Sequence, residues 1–202
     1  MSQSAISDDR RPRRQTTREK ILRAAAKAIR AKGPASVGVL EIMREAGLTH
    51  GGFYAHFKSK DELVAASIST MFEQGRDRFF ARIAGKQGIE ALRLWVDAYV
   101  SPSHRDNPGG GCALAALSGD VARLDYAGHD AFDAGLRGIV ARFTAYLPAR
   151  DGFDAEAFAM AMLAEMAGAV ALARAVGDRA MSDRILQSAR DSLQARLTQV
   201  AA

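Results

Sequence analysis

The sequence predicts an all-α protein of about nine helices. Of its 202 residues 48% are hydrophobic, whereas 7% are aromatic and only 5 are prolines. Alanine, leucine, arginine and methionine, which favour helices, are abundant. The apolar residues recur at the spacing of an amphipathic helix, and no segment alternates apolar and polar residues as a half-buried strand does.

The first 15 residues are polar, and we expect them to form a disordered basic arm. Four arginines surround Pro12 in this segment, and the apolar centre of a secretory signal is missing. The first helix is predicted from about Thr17 to Lys32, because its apolar residues share one face and Gly33-Pro34 follows it.

A helix-turn-helix motif is predicted next. The second helix covers about residues 37–46, with Leu40 and Ile42 turned inward. Gly47 permits the positive φ of a sharp turn, and Thr49 caps a very short third helix. This third helix is then free to lie in the major groove of DNA, which is wide enough to admit one.

The charge distribution also points to a nucleic acid. Residues 1–60 hold 13 Lys and Arg against 5 Asp and Glu, whereas the remainder holds 15 against 18. A basic N-terminal third suggests contact with a polyanion, although a solvated basic tail would give the same balance. Gly51 and Gly52 each cost about 1 kcal/mol of helix stability, and we interpret them as places where the backbone approaches DNA closely.

The remaining chain continues as helices, and residues 101–111 are predicted to be a loop because they hold two prolines and a glycine run. The predicted helices are approximately 17–32, 37–46, 49–57, 61–84, 88–100, 112–124, 130–147, 155–176 and 183–200. The last two carry broad apolar stripes, which include Met166 and Leu193. Such stripes favour a homodimer that forms a four-helix bundle, and the alternative is burial against the protein's own body.

Several functional classes are disfavoured by the sequence. It has no apolar run of about 18 residues, so we expect no membrane span and a cytoplasmic location. Its single cysteine excludes an internal disulfide and is too few for a thiolate zinc site, and we predict no metal, cofactor or catalytic residue. An enzyme is the first alternative, but the glycine run at 109–111 lacks the Lys-Ser/Thr of a nucleotide loop. An architectural DNA-binding protein without a ligand is the second.

Four segments of the sequence strongly resemble the TetR family of repressors. They are the Ile-Leu-x-x-Ala-Ala start at residues 21–26, the Ala-Gly-Leu turn at 46–48, the Phe-Tyr-x-x-Phe cluster at 53–57 and the Lys-Ser-Lys-Asp-Glu-Leu ending at 58–63. The chain departs from the common pattern at Val37, Met43 and Gly52. These differences concern DNA contacts and local packing, so they bear on the operator sequence.

The resemblance implies a repressor that binds a palindromic double-stranded DNA operator and is released by a small-molecule inducer. Residues 16–76 would form the DNA-binding domain, and residues 77–202 the ligand-binding and dimerisation domain. Thr49 and His50 would contact base edges or phosphates, and Phe53 would belong to the core with Phe57. The full set of DNA-contact candidates is Thr17, Arg18, Thr49, His50, Gly51, Gly52, Tyr54, His56 and Lys58. Of these, Thr17 and Arg18 are placed at the positive end of the first helix.

The ligand is poorly specified by the sequence. Aromatic residues at helical spacing more often belong to a core than to a pocket, so each candidate has both interpretations. Glu165, within the apolar run of the eighth helix, would meet a ligand, a partner's arginine or water. The candidates for the ligand cavity are Phe72, Trp95, Tyr99, Cys112, Phe132 and Phe143.

Cys112 supports an alternative function, a repressor that senses oxidants or electrophiles. It opens a predicted helix, where free N–H groups and the helix dipole stabilise a thiolate, and Arg123 is a candidate cation beside it. The other interpretation is a small, buried and inert residue that allows close helix packing.

Overall fold

The computed structural model describes the backbone of residues 10–201 and the side chains of residues 16–201. Within this part of the chain the only regular elements are helices, which confirms the all-α prediction. Two of the elements are short 3-10 helices, His50–Ala55 and Pro108–Gly110. The α-helices are α1 (Arg10–Lys32), α2 (Val39–Glu45), α3 (Lys60–Ile83), α4 (Gly88–Tyr99), α5 (Pro102–Arg105), α6 (Ala113–Val121), α7 (Tyr126–Thr144), α8 (Ala155–Ala175) and α9 (Arg179–Ala201).

The first helix begins earlier than predicted. It starts at Arg10 rather than near Thr17, so residues 10–15 of the expected basic arm are helical, and residues 1–9 of that arm lie outside the described residues. Pro12 is the third residue of α1. A proline is tolerated there because the first N–H groups of a helix have no intrahelical partner.

In the N-terminal part, α1, α2 and the first 3-10 helix pack together with the start of α3. Ile21, Ile42, Phe53 and Leu63 meet in its core, each with at most 1% of its surface exposed. The prediction that Leu40 turns inward is wrong, since its side chain is 66% exposed. Leu40 precedes the buried Ile42 by two residues and therefore points to the other side of a helix with 3.6 residues per turn.

The predicted loop 101–111 contains two short ordered elements. The Ser101 hydroxyl caps α5 by accepting from the N–H of His104 at 3.2 Å, and Pro102 occupies its first turn. The Asn107 side chain accepts from the N–H of Gly110 at 3.1 Å and closes the 3-10 helix Pro108–Gly110. Prolines fit the first turn of a helix, where their missing N–H groups are not required.

Segment 101–111 is held to the C-terminal helix by a buried arginine. Arg105 is 4% exposed. Its Nη1 donates to the Ser182 hydroxyl at 2.8 Å and to Asp183 Oδ1 at 2.5 Å, and its Nε donates to Asp106 Oδ1 at 2.8 Å. These interactions fix the segment against α9 and so position one wall of the cavity described below.

Helix α3 joins the two parts of the molecule. It runs without interruption through residue 76, so the predicted domain boundary between 76 and 77 falls inside one helix. Its second half packs along α7, where Gly135 allows a very close approach. A Cβ at Gly135 would lie 2.1 Å from the ring of Phe72.

The apolar stripes of α8 and α9 are buried within the chain itself. Met162, Met166, Leu193 and Leu197 have none of their surface exposed. Our argument that these stripes require a partner is therefore wrong, because α8 and α9 cover each other and pack against the rest of the body. A dimer formed through these helices would therefore have to use other residues of them.

Helix α8 combines length with an apolar composition. With a mean hydropathy of 1.5 it is long and apolar enough to cross a membrane by length and composition alone. The search for an uninterrupted apolar run missed it because Glu165 lies at its centre. A core helix has the same composition, so this property is weak support for a membrane span.

Candidate nucleic-acid interface and ligand cavity

The turn between α2 and the first 3-10 helix has the predicted geometry. Gly47 has a φ of +71°, which favours glycine. The N–H of Leu48 donates to the carbonyl of Met43 at 2.9 Å, and that of Gly47 to Arg44 at 3.0 Å. These bonds end α2 and direct the chain into the following helix at a fixed angle.

The third element of the motif is shorter than predicted, and it is a 3-10 helix. It covers His50–Ala55, and Thr49 precedes it in an extended conformation without the predicted side-chain cap. The N–H of Gly52 instead donates to the backbone oxygen of Thr49 at 3.1 Å. Two consecutive glycines weaken a regular α-helix, which is consistent with this short element.

Neither glycine of this element is required by the packing of the described residues. A Cβ at Gly51 would have no atom within 4 Å, and at Gly52 it would make ordinary contact with Met43 at 3.7 Å. Both residues also have a negative φ. The chain's own packing and backbone therefore do not explain them, and close approach of an outside molecule remains their interpretation.

The element presents a polar face and buries an aromatic one. Phe53 and Phe57 are 1% and 2% exposed, which confirms their predicted core position. Tyr54 is 69% exposed, with its ring in edge contact with Phe53 at 5.2 Å between centroids. The exposed candidates for DNA contact are Thr49, His50, Gly51, Tyr54 and Lys58, whereas Gly52 and His56 are partly buried.

Thr17 and Arg18 lie about two turns inside α1, because the helix begins at Arg10. The expectation that they occupy its positive end is therefore wrong. Both are partly buried, and the guanidinium of Arg18 lies 4.9 Å from the centroid of the Phe57 ring. This contact brings Arg18 beside Lys58, so a role in phosphate contact stays a prediction on different grounds.

The start of α3 is a capping arrangement that places Lys58. The Ser59 hydroxyl accepts from the N–H of Glu62 at 3.1 Å, and the Glu62 carboxylate accepts from the N–H of Lys58 at 2.7 Å. Lys60 donates from Nζ to the backbone oxygen of Ala35 at 3.4 Å. The backbone of Lys58 is thus fixed while its side chain is exposed.

Two ion pairs join α1 to α2 behind this surface. Lys27 pairs with Glu45 at 3.0 Å, and Lys32 pairs with Glu41. The hydrogen bond from Lys32 lowers the pKa of Glu41. These lysines are engaged within the chain, which leaves Lys58 as a better candidate for a phosphate.

A cavity of about 530 Å³ lies between α3, α4, α6 and α7, below the DNA-binding part. This volume is within the range of small-molecule sites. Four of the predicted ligand residues line it: Trp95, Tyr99, Cys112 and Phe143. The buried Phe79 contributes a further aromatic wall, since its ring lies 5.3 Å from that of Trp95.

The other two ligand candidates lie elsewhere. Phe132 lines a second, open groove between α7 and α8, of about 940 Å³. Phe72 lines neither space; its ring is in edge contact with Phe132 at 5.6 Å and packs over Gly135. Its role as a ligand residue therefore has no geometric support.

Cys112 is held in the cavity wall by His104. The Nδ1 atom of His104 is 2.7 Å from the backbone oxygen of Tyr99, and Nε2 accepts from the N–H of Cys112 at 3.1 Å. The ring is thus neutral with its proton on Nδ1, and burial lowers the pKa of His104 to about 4. We expected the N–H of Cys112 to be free, but it donates to His104.

The cations near Cys112 differ from the one predicted. Arg123 pairs with Asp120 at 2.8 Å on the surface. Arg30, Arg78 and Arg174 instead interact electrostatically with the thiol. Glu165 likewise pairs within the chain, accepting from Nη1 of Arg196 at 2.5 Å.

A sequence profile described as bacterial regulatory proteins, tetR family, matches residues 21–67, which contain the whole helix-turn-helix motif. The crystal structure of a TetR transcriptional regulator from Chloroflexus aurantiacus is 26% identical, covers 93% of this chain and 97% of its own, and superposes with a TM-score of 0.76.

The helix-turn-helix part of this chain therefore matches the TetR family, and the described fold is similar to that of a TetR transcriptional regulator. The HTH-type transcriptional regulator YvdT of Bacillus subtilis is 33% identical over 91 residues, 44% of this chain and 47% of YvdT. The HTH-type transcriptional repressor NemR of Escherichia coli is 24% identical over 127 residues, 62% of this chain and 64% of NemR. The reduced form of E. coli NemR, at 20% identity, covers 88% of this chain and 95% of its own with a TM-score of 0.74.

The TetR resemblance did not predict several residues that organise the cavity. Arg30, Arg78, His104 and Arg174 meet around Cys112 although they come from four different helices. Their spacing in the sequence gives no signal, because the contacts are between distant segments. The one available indication was the His in the proline-rich segment 101–111, which we treated as a plain loop.

Proposed function

We propose that this TetR-family protein is a transcriptional repressor that binds a palindromic double-stranded DNA operator as a homodimer. The observation that carries the proposal is the exposed face of the 3-10 helix after Gly47. His50 and Tyr54 project from it over a buried Phe53, and Lys58 follows at the same end. An aromatic anchor with polar side chains outside it suits a reading element in a major groove. A DNA target also supports the proposal of a cytoplasmic location.

The exposed face of α8 supports the dimer. Met160 and Leu172 are 49% and 60% exposed, and Ala161, Ala164 and Ala171 are exposed between them. Small and apolar residues in a continuous stripe allow two helices to pack closely. Pairing of this face with its copy around a two-fold axis gives a four-helix bundle with α9.

The cavity supports control by a small molecule. Segment 101–111 forms one wall of it and also contacts α1, where a Cβ at Gly109 would lie 3.1 Å from the Lys27 side chain. A molecule that moves this segment therefore acts on the helix that carries the DNA-binding part. We propose that the contact between segment 101–111 and α1 has two arrangements, and that the ligand and the operator each favour one of them.

The operator test begins with selection of duplexes from a random pool by the purified protein. We expect an inverted repeat whose half-sites are about 34–36 Å apart or a multiple of this distance. Affinity is then measured by fluorescence anisotropy on the selected and a scrambled duplex at several salt concentrations. Equal affinity for both duplexes would contradict the proposal and favour an architectural protein.

A second candidate function is a repressor that senses electrophiles through Cys112. Its thiol is partly exposed, lines the cavity and lies near three arginines, Arg30, Arg78 and Arg174. Conjugate addition to an electrophilic alkene would form an S–C bond and break the C=C π bond, and the proton lost by the thiol would be balanced by one taken up at the neighbouring carbon. The test is titration with a maleimide while operator binding is followed. Slow labelling with intact DNA affinity, or release of the Cys112→Ser protein by the same electrophile, would exclude this function.

A further inference from the structure

The wall of the 530 Å³ cavity contains three arginines and, among its described lining residues, no Asp or Glu. The arginines are Arg78, Arg82 and Arg142. Asp77, which is adjacent to Arg78, forms a 3.4 Å ion pair with Arg76 and does not line the cavity. The cavity therefore has a positive charge that its own wall does not neutralise.

Arg78 makes one side-chain hydrogen bond with the described residues. Its Nη2 donates to the backbone oxygen of Gly111 at 3.0 Å, whereas a guanidinium carries five N–H donors. The side chain is exposed at the cavity, yet desolvation lowers the pKa of Arg78. An anion placed beside it would restore the electrostatic partner that water supplies elsewhere.

A second polar group points to the same ligand chemistry. Tyr99 is 5% exposed, and its hydroxyl has no hydrogen-bond partner of good geometry among the described residues. The Cys112 thiol is close to it, but a thiol is a weak partner. Burial raises the pKa of Tyr99 well above its usual value, so the hydroxyl remains a donor. Arg78 and Arg174 both act electrostatically on this hydroxyl, which places the donor and the cations in one corner of the cavity.

We propose that the cavity binds a small apolar monocarboxylate, whose carboxylate accepts hydrogen bonds from Arg78 and from the Tyr99 hydroxyl. Its apolar body lies against the aromatic wall formed by Phe79, Trp95 and Phe143. This inference rests on the proposed function and identifies the class of molecule that controls it. Arginine binds a carboxylate through a planar pair of donors, which suits this head group.

The apolar part of the lining favours a ligand whose charge lies at one end. Leu114, Ile139 and Leu163 belong to this part of the wall and offer no side-chain donor. A second negative charge near them would lose its hydration without compensation. A dicarboxylate that places its second charge against this apolar part is therefore a poorer ligand than a monocarboxylate of the same size.

The test uses matched pairs of charged and neutral probes. Binding of phenylbutyrate and of its amide phenylbutyramide is measured by isothermal titration calorimetry, and naphthylacetate and naphthylacetamide form a second pair. We expect each carboxylate to bind at least about tenfold more tightly than its amide, since hydrogen bonds to charged groups contribute about 1.5–3 kcal/mol. Quenching of Trp95, the single tryptophan, reports whether the probe enters this cavity.

The variants locate the head group. Arg78→Gln is expected to remove the preference for the carboxylate, and Tyr99→Phe to weaken carboxylate binding without affecting the amide. Arg76→Gln, two residues away on the same helix and outside the cavity, is the matched control and should behave as wild type. Circular dichroism establishes that each variant is folded.

Equal binding of acid and amide, no binding of either pair at millimolar concentration, or an unchanged preference in Arg78→Gln would each overturn the inference. Operator binding is measured separately without any probe. Specific DNA binding with no carboxylate preference leaves the proposed function standing and removes only the ligand class. Selective carboxylate binding without operator binding leaves the ligand class standing and removes the proposed function.

Discussion

The guanidinium of Arg30 donates from Nε to the backbone oxygen of Gly109 at 2.7 Å and so joins α1 to the cavity wall. Its Nη1 also donates to Gln74 Oε1 on α3 at 2.9 Å. Arg30 is 7% exposed, and desolvation is the main cause that lowers its pKa to about 10. A buried cation held by neutral acceptors is sensitive to any movement of those acceptors.

Replacement of Arg30 by Met is expected to uncouple the cavity from the DNA-binding part. The variant keeps the apolar stem but loses both hydrogen bonds, at a cost of about 1–3 kcal/mol in the free energy of unfolding. The ratio of operator affinities with and without phenylbutyrate should fall towards one. Arg23→Met, at an exposed position of the same helix, is the control. An unchanged ratio in Arg30→Met would show that the signal takes another route.

Lys58 and His50 are expected to contribute differently to DNA binding. Lys58→Ala should weaken binding to all duplexes alike and reduce the slope of log K against log salt by about 0.9, because one phosphate contact is lost. His50→Ala should change the preferred base at one position of each half-site, by about 1–3 kcal/mol. Anisotropy titrations on the selected operator and on single-base variants measure both effects.

Lys86→Ala is the control for charge alone, since Lys86 is exposed and pairs with Glu90 at 2.8 Å away from the motif. If Lys58→Ala and His50→Ala both reduced specific and nonspecific binding by the same factor, the assignment of His50 to base readout would be wrong.

The helix-turn-helix motif and the C-terminal helices differ in how far the sequence predicts them. Gly47 and the buried Phe53 were identified because a local motif demands them, at a turn with positive φ and in an aromatic anchor. The dimer argument failed because periodicity identifies an apolar stripe such as that of Met166 and Leu193 but does not say what covers it. Their burial depends on how α8 packs against α9, which is a tertiary property.

The cavity was predicted only in part for a related reason. Trp95 and Tyr99 have the apolar character of a lining, so composition identified them. Arg78 and His104 were missed because a charged residue on a helix usually faces water, and nothing local distinguishes one that meets Cys112 across the fold. The sequence predicts a loop at 101–111, but its serine, asparagine and prolines cap two short helices.

Leu172→Glu is expected to convert the protein to a monomer. Leu172 is 60% exposed on the outward face of α8, and a two-fold axis would place two carboxylates close together in an apolar contact. Light scattering coupled to size exclusion measures the mass. Loss of the dimer should also lower the operator affinity. Ala127→Glu, at an exposed position of α7, is the control.

A point substitution is preferable here to removal of α9. That helix buries Leu186, Leu193 and Leu197 in its own chain, so its removal would expose the core and report on folding. A folded Leu172→Glu protein that remains a dimer would place the interface on another surface.

The stability of the protein is expected to decrease as the pH falls from about 7 to about 5, because His104 is neutral in the folded state. Burial lowers its pKa to about 4, below the value of about 6.5 for an exposed histidine. The unfolded chain therefore binds more protons in this window, and the stabilisation present above pH 6.5 is progressively lost below it. With these values the contribution of His104 is about 2 kcal/mol between about pH 7 and about pH 5. Asp106, whose pKa is lowered by hydrogen bonds from Arg105 and Arg179, loses its contribution only at lower pH.

His104→Gln keeps a donor and an acceptor but does not titrate, so it should be less stable at neutral pH and lose this part of the pH dependence. Urea unfolding of both proteins at the two pH values measures the difference, and equal slopes with pH would mean that the pKa of His104 is the same in the folded and the unfolded protein.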